Sequence, residues 1–185
     1  MQKICLYDFL KLILVAAALL SNTVLAQPLR VGTTLWPGYE PLYLAKEMNV
    51  YKEDIRMIEY PSTSEVLRAF KNHTLEVAAL TLDEVVLLAE SNVPVEIILV
   101  LDISEGADVI MARPAIKNMK GLVGARVAVE STAVGAYTLS RALEVHNISI
   151  NQVSLVNVEN SSHKDAYTNN IADAVVTYEP VRTQL

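Results

Sequence analysis

Along this chain short apolar runs alternate with segments whose apolar residues recur every three or four positions, so strand-like and helix-like periods succeed one another. Residues 29–35 form the first run and predict a strand. It breaks at Trp36-Pro37-Gly38-Tyr39. Pro41 then stands where the first turn of a helix tolerates a missing N–H. Leu42, Ala45 and Met48 follow at helical spacing, and Asn49 suits a left-handed residue ending the helix. The opening therefore reads strand, aromatic loop, helix.

The same grammar continues. Residues 55–60 predict a second strand, stopped by Pro61. Ser62-Thr63-Ser64-Glu65 is a capping-box pattern, and Val66, Ala69 and Phe70 supply the apolar face of a helix ending near Asn72. Residues 75–80 predict a third strand. Thr81-Leu82-Asp83-Glu84 is a second capping box, opening a helix through about Ser91. After Pro94, residues 95–101 are almost purely apolar, as expected of a strand covered on both faces. Residues 102–108 form a loop, and the short apolar segment 109–112 ends at Arg113-Pro114. Further strands are expected over 127–130, 153–158 and 172–178. Ser131-Thr132 would cap a helix whose inward face uses Val134, Tyr137, Ala142 and Val145, and residues 161–170 read as a weak polar helix. Alternating strands and helices predict βαβ units with right-handed crossovers, an α/β fold with mainly parallel sheets. The break at Arg113-Pro114 divides it into a first lobe over 27–108 and a hinge with a second lobe over 109–185.

The N-terminus carries a different pattern. Lys3 and Lys11 are basic, the apolar run 12–20 is too short to span a bilayer, and Val24-Leu25-Ala26 offers small residues for cleavage. Residues 1–26 are expected to be a signal peptide, cleaved to leave Gln27 first; Cys5 falls inside it. The mature chain then has no cysteine, which excludes disulfides and thiolate metal sites. Without Lys3, Lys11 and Asp8 the net charge moves from −6 to −7, and no basic stripe offers itself to nucleic acid.

The candidate chemistry lies where strands give way to loops, since open α/β sheets bind ligands outside the carboxyl ends of their strands. Trp36 and Tyr39 would pack on a ligand there, or serve as half-buried core aromatics. Thr81 is a plain N-cap or an anion contact, because a cap hydroxyl and free helix N–H groups hold oxyanions. Ser131, Thr132 and Ala133 offer hydroxyls and small side chains at a helix start, which leaves backbone N–H groups open. Asp102 and Ser104 face the cleft or solvate a loop. Glu179 closes the last strand as a ligand contact or an exposed acid. His73, His146 and His163 are scattered, without metal-binding spacing, and are expected at the surface. With no GxSxG, GxxxxGK[ST] or GxGxxG motif, no enzyme chemistry and no cofactor are expected.

Four stretches in order, LWPGYEPLYLAKE, SEGADVIMARP, MKGLVGARVAVE and DAVVTYEPV, resemble periplasmic substrate-binding proteins of the nitrate, sulfonate, taurine and thiamine-pyrimidine-precursor class. The resemblance implies a type II periplasmic-binding-protein fold, a small anionic or zwitterionic solute held between two lobes, and a monomer that delivers it to the membrane permease of an ABC importer. It favours the Ser131-Thr132 turn as a ligand contact and implies that Glu179 meets a cationic ligand group. Members of the class continue further, so the second lobe is expected to lack its C-terminal return segment. The same fold also serves ligand-sensing modules that report to signalling partners, the alternative reading. A thiamine-pyrimidine-making branch uses a cysteine-rich motif that this mature chain lacks.

Overall fold

The computed structural model describes residues 27–185, in which two separate sheets are built; the expected signal peptide lies outside the described residues. The first sheet has three parallel strands, β1 (Leu29–Thr34), β2 (Ile55–Tyr60) and β3 (Val77–Ala78), in the order β2-β1-β3. The second has four, β4 (Val109–Ala112), β5 (Arg126–Val129), β6 (Ser154–Asn157) and β7 (Ala174–Thr177), in the order β4-β7-β5-β6. Its pairs are parallel except β4 against β7. Helices α1 (Glu40–Glu47), α2 (Thr63–Lys71) and α3 (Leu82–Glu90) belong to the first sheet's half of the chain. Helices α4 (Val134–Val145), α5 (His163–Thr168) and α6 (Val181–Gln184) belong to the second.

Local chemistry explains the boundaries. Ser62 caps α2 by accepting the Glu65 N–H at 3.3 Å. Asn49, His73, Asn92, Asn147 and Asn170 all take positive φ, each in the turn just past a helix end, and four of the five are asparagine, which tolerates the left-handed region best after glycine. Gly32 lets β1 meet its cover closely, because a Cβ there would lie 2.3 Å from Leu75 Cδ1 and 3.3 Å from Val66. Each lobe also starts its central strand with the same device. Glu76, just before β3, accepts the backbone N–H of Arg30 at 2.8 Å and its guanidinium; Asp173, just before β7, accepts the Arg126 N–H at 2.9 Å and its guanidinium at 2.8 and 3.1 Å. Both acids are held at about 2, chiefly by the arginine hydrogen bonds.

Lobe 2 carries the denser core. Leu122, Val127, Val129, Leu139, Leu143, Ile148, Val153, Ala174 and Val176 form one buried cluster. This corrects the expected inward face of α4. Leu139 and Leu143, four apart, point inward, whereas Tyr137 and Val145 are 56% and 69% exposed. The helix is turned so that its two leucines, larger than the alanines beside them, bury against the sheet.

Further expectations are corrected. Residues 95–101 form no strand, and Ile97, Ile98, Leu99 and Val100 are exposed. The composition suits a strand, but a ladder needs a neighbour, and no strand among the described residues pairs with this run. Met48 lies exposed at the end of α1, because the turn of the helix leaves only Leu42, Tyr43 and Ala45 half-buried. Ser131 and Thr132 do not cap α4; the cap position falls to Ala133, which has no side-chain donor or acceptor. His163 is buried rather than at the surface. Its ring is satisfied by Thr177 Oγ1 at 3.3 Å and the Val158 carbonyl at 3.2 Å, and burial lowers its pKa, which keeps it neutral.

Candidate functional site

The carboxyl ends of both sheets' strands face one another, and side chains from the two lobes meet there. Ser64, in the first turn of α2, donates its backbone N–H to Glu130 Oε1 at 2.8 Å. Its hydroxyl also reaches Glu130, and it bonds to the Thr132 hydroxyl. Glu130 follows the last residue of β5 and is buried. These contacts join residues 66 and 68 positions apart in sequence, one from each lobe.

Beside this bridge Glu84 and Tyr39 are also buried. Glu84 sits at the third position of α3, in the predicted capping box with Thr81, and its Oε2 accepts the Thr81 N–H at 2.8 Å. Glu84 is 1% exposed, and its other oxygen, like the Thr81 hydroxyl, is buried without a partner. Burial pushes the Glu84 carboxyl up to about 7; the hydrogen bond from the Thr81 N–H opposes that rise, and the Asp83 charge adds to it. Tyr39, buried at the end of the aromatic loop, and Tyr178, following β7, both have phenols raised above the ordinary range. Burial is the main cause for each. The negative charges follow: Glu84, ahead of Tyr178 and Asp83, for Tyr39, and Glu130 then Glu84 for Tyr178. Thr34 and Thr63 hydroxyls press the Tyr178 phenol the other way. Tyr39, Glu84, Glu130 and Tyr178, drawn from both halves of the chain, thus lie near enough for the acids to act on the phenols.

The aromatic loop is shaped from within. Trp36 and Tyr39 stand edge to face, with ring centres 5.0 Å apart and planes at 76°. Trp36 lies over Gly38, where a Cβ would fall 1.8 Å from the indole ring, so glycine is what lets the ring fold down. A second opening lies nearby, lined by Leu35, Tyr60 and Pro61 from the first lobe and Asn160, Ser161 and Pro180 from the second. Asn160 is 5% exposed, and its Oδ1 has no partner.

The residues singled out from sequence are distributed unevenly. Tyr39 and Thr81 lie beside Glu84, Trp36 packs on Tyr39, and Thr132 bonds to Ser64 in the bridge. Ser131 donates its N–H and hydroxyl to Asn157 Oδ1 at 3.0 and 2.8 Å, so those donors are engaged within the second lobe. The N–H of Ala133 is bonded to the Glu130 carbonyl at 3.3 Å. Asp102 accepts the next residue's N–H at 2.7 Å, and Ser104 donates to Asp108 at 3.0 Å; both are exposed on their loop. Glu179 accepts the Thr183 N–H and hydroxyl at 3.2 and 3.0 Å, local bonds that tie down α6. Sequence reasoning missed Glu84, Glu130, Tyr178 and Ser64. Glu84 and Ser64 read as ordinary capping residues, and Glu130 and Tyr178 as strand ends; the available signal was an acid following each of two apolar strand-and-turn segments.

A model of the NMT1/THI5-like family matches residues 36–184. The taurine-binding periplasmic protein of Escherichia coli (strain K12) is 22% identical over 168 residues, covering 89% of this chain and 52% of that protein. The chain therefore spans about half the length of this curated relative. The alkanesulfonate-binding protein SsuA from Xanthomonas axonopodis pv. citri, bound to MOPS, superposes with a TM-score of 0.67 at 18% identity, covering 84% of this chain and 56% of the other. The GluR0 ligand-binding core from Nostoc punctiforme, in complex with (L)-glutamate, does so at 0.53 and 21% identity, covering 84% and 72%. These likenesses fix an α/β fold of the type II periplasmic-binding kind, and with the family model matching from Trp36 nearly to the last residue, the chain belongs to the NMT1/THI5-like family.

Proposed function

We propose that this chain serves as a solute-binding protein of an ABC import system, holding a small anionic or zwitterionic solute in the cleft between its lobes. The observation that carries this reading is the meeting of polar groups from both lobes at the strand ends: Ser64 against the buried Glu130 and against Thr132, near the buried Glu84 and Tyr39. No bond is made or broken. A solute closes the lobes about the chain between them, a hinge motion, and a membrane permease reads the closed form. The protein acts as an exported monomer in the periplasm. The relatives named for taurine and alkanesulfonate support a solute of that size and charge.

The test is to purify the protein from the periplasm, denature it and identify released small molecules by mass spectrometry. An anionic or zwitterionic solute is expected at up to one per chain. Adding it back to stripped protein should change the emission of Trp36, the only tryptophan, which packs on Tyr39. Stripped protein that neither rebinds any released solute nor changes emission overturns the reading. N-terminal sequencing of the same material should begin at Gln27; a start at Met1 overturns the export assignment.

A further inference from the structure

We infer that Ser64, Glu130 and Thr132 form a latch by which the chain's own groups hold the two lobes together, so that the closed form is populated before any solute bridges them. Among the described residues the chain passes from the first sheet to the second once, through residues 91–108, which carry neither helix nor strand. Such a tether allows many relative positions of what it joins, and fixing one of them costs conformational entropy. Bonds made directly between the lobes offset that cost.

Three such bonds meet at Ser64. Its N–H reaches Glu130 Oε1 at 2.8 Å, and its hydroxyl meets the same oxygen and the Thr132 hydroxyl. A serine hydroxyl has one proton to give. That proton goes to Glu130, so Thr132 is the donor in the remaining bond. The hydroxyl bonds therefore run in one direction, from Thr132 through Ser64 to Glu130. Position adds to this. Ser64 is the second residue of α2, whose first N–H groups have no partner within the helix. Ser62 takes the Glu65 N–H from the first lobe, and Glu130 takes the Ser64 N–H from the second. Parting the lobes uncaps one donor of α2 and strips the Glu130 carboxyl, 5% exposed, of both Ser64 donors. Ser131, between the two latch residues of the second lobe, bonds to Asn157 of its own lobe instead. A solute that prefers the closed form then completes a shift that the chain has begun.

The test measures the separation of the lobes in stripped protein with no solute added, so its result is independent of the solute-binding reading. Residues 27–185 hold no cysteine. Glu47→Cys and Ser140→Cys, exposed positions on α1 and α4, therefore take one spin label each. Double electron–electron resonance should show two populations, one at the separation seen in the structure and one longer. Ser64→Ala removes both hydroxyl bonds and should lower the ratio of short to long about tenfold; Thr132→Val removes one and should lower it about fivefold. Thr132 is exposed, so its variant keeps the test sharp should Ser64→Ala disturb α2. The double variant should match Ser64→Ala alone, because the two changes remove a shared bond. Ser64→Thr, which keeps the hydroxyl, and Ser131→Ala should both keep the parent's ratio. A parent without the short population, a ratio that neither Ser64→Ala nor Thr132→Val lowers, an equal fall in Ser131→Ala, or losses that multiply in the double variant overturns the latch.

Discussion

Thermal stability should rise as pH falls from about 7 to about 5, and Glu84→Gln should abolish most of that rise. Glu84 is buried, and its carboxyl is pushed from 4.5 up to about 7, mainly by loss of solvation. Between those values the folded protein keeps a proton that the unfolded chain releases. The unfolded state therefore binds fewer protons there, and stability falls as pH rises through the window. Above about 7 the full cost is present, and below about 4.5 it is gone. A shift of this size corresponds to about 3 kcal/mol at 1.36 kcal/mol per pH unit. Two acids and a histidine act in the opposite sense; His163, whose pKa burial lowers, costs stability as pH falls below the ordinary histidine range, which trims the rise without reversing it. Glu76 and Asp173 are held at about 2 by Arg30 and Arg126, so what they contribute is present above the ordinary carboxylate range and is lost as pH falls toward 2. Both pairs are partly exposed, and screening keeps their share small. Melts at unit intervals from pH 3 to 8 should show a maximum near pH 4.5–5 in the parent and a flatter profile from pH 5 to 8 in Glu84→Gln. A parent profile that is flat from pH 5 to 8 contradicts the burial of this acid.

That the site's acids escaped a sequence reading has a physical cause. Capping boxes at Ser62–Glu65 and Thr81–Glu84 are legible because they act within one turn, and each shows one of its bonds: Ser62 Oγ accepts the Glu65 N–H, and Glu84 accepts the Thr81 N–H. A glutamate in such a box has a complete local explanation, so nothing in the sequence shows that Glu84 is also driven against another lobe. Glu130 has the same ambiguity at a strand end, and its partner Ser64 lies 66 residues away. Tyr39 and Thr81 were singled out because strand-to-helix turns mark the ligand side of an α/β sheet whatever the ligand. The strands with parallel neighbours were legible from their apolar runs. Residues 95–101 show the converse: an apolar run states that a segment wants cover, not that cover is present. His163 was misplaced because a histidine's burial depends on a partner for each ring nitrogen, here the Val158 carbonyl that accepts and the Thr177 hydroxyl that donates, which only the folded chain brings to its ring.

Leu143→Ala should be among the most damaging single changes in the described residues, and Val145→Ala, two positions away, should be nearly silent. Leu143 is 1% exposed and packs with Leu139, Val127, Val129 and Val176 under α4. Removing its three outer carbons forfeits their transfer free energy and leaves a cavity that close-packed neighbours fill only in part, at about 2–5 kcal/mol. In a chain of this size that lowers the melting temperature by roughly 5–15 °C. Val145 is 69% exposed, and a surface truncation of this kind stays within about 0.5 kcal/mol. The pair discriminates between two rotations of one helix. The spacing Val134, Tyr137, Ala142, Val145 describes a plausible apolar stripe, and so does Ala136, Leu139, Leu143. Periodicity alone ranks them equally, whereas buried area favours the stripe with the two leucines. Melting curves of both variants at pH 7 decide it. Equal losses, or a larger loss for Val145→Ala, would mean that α4 is turned the other way.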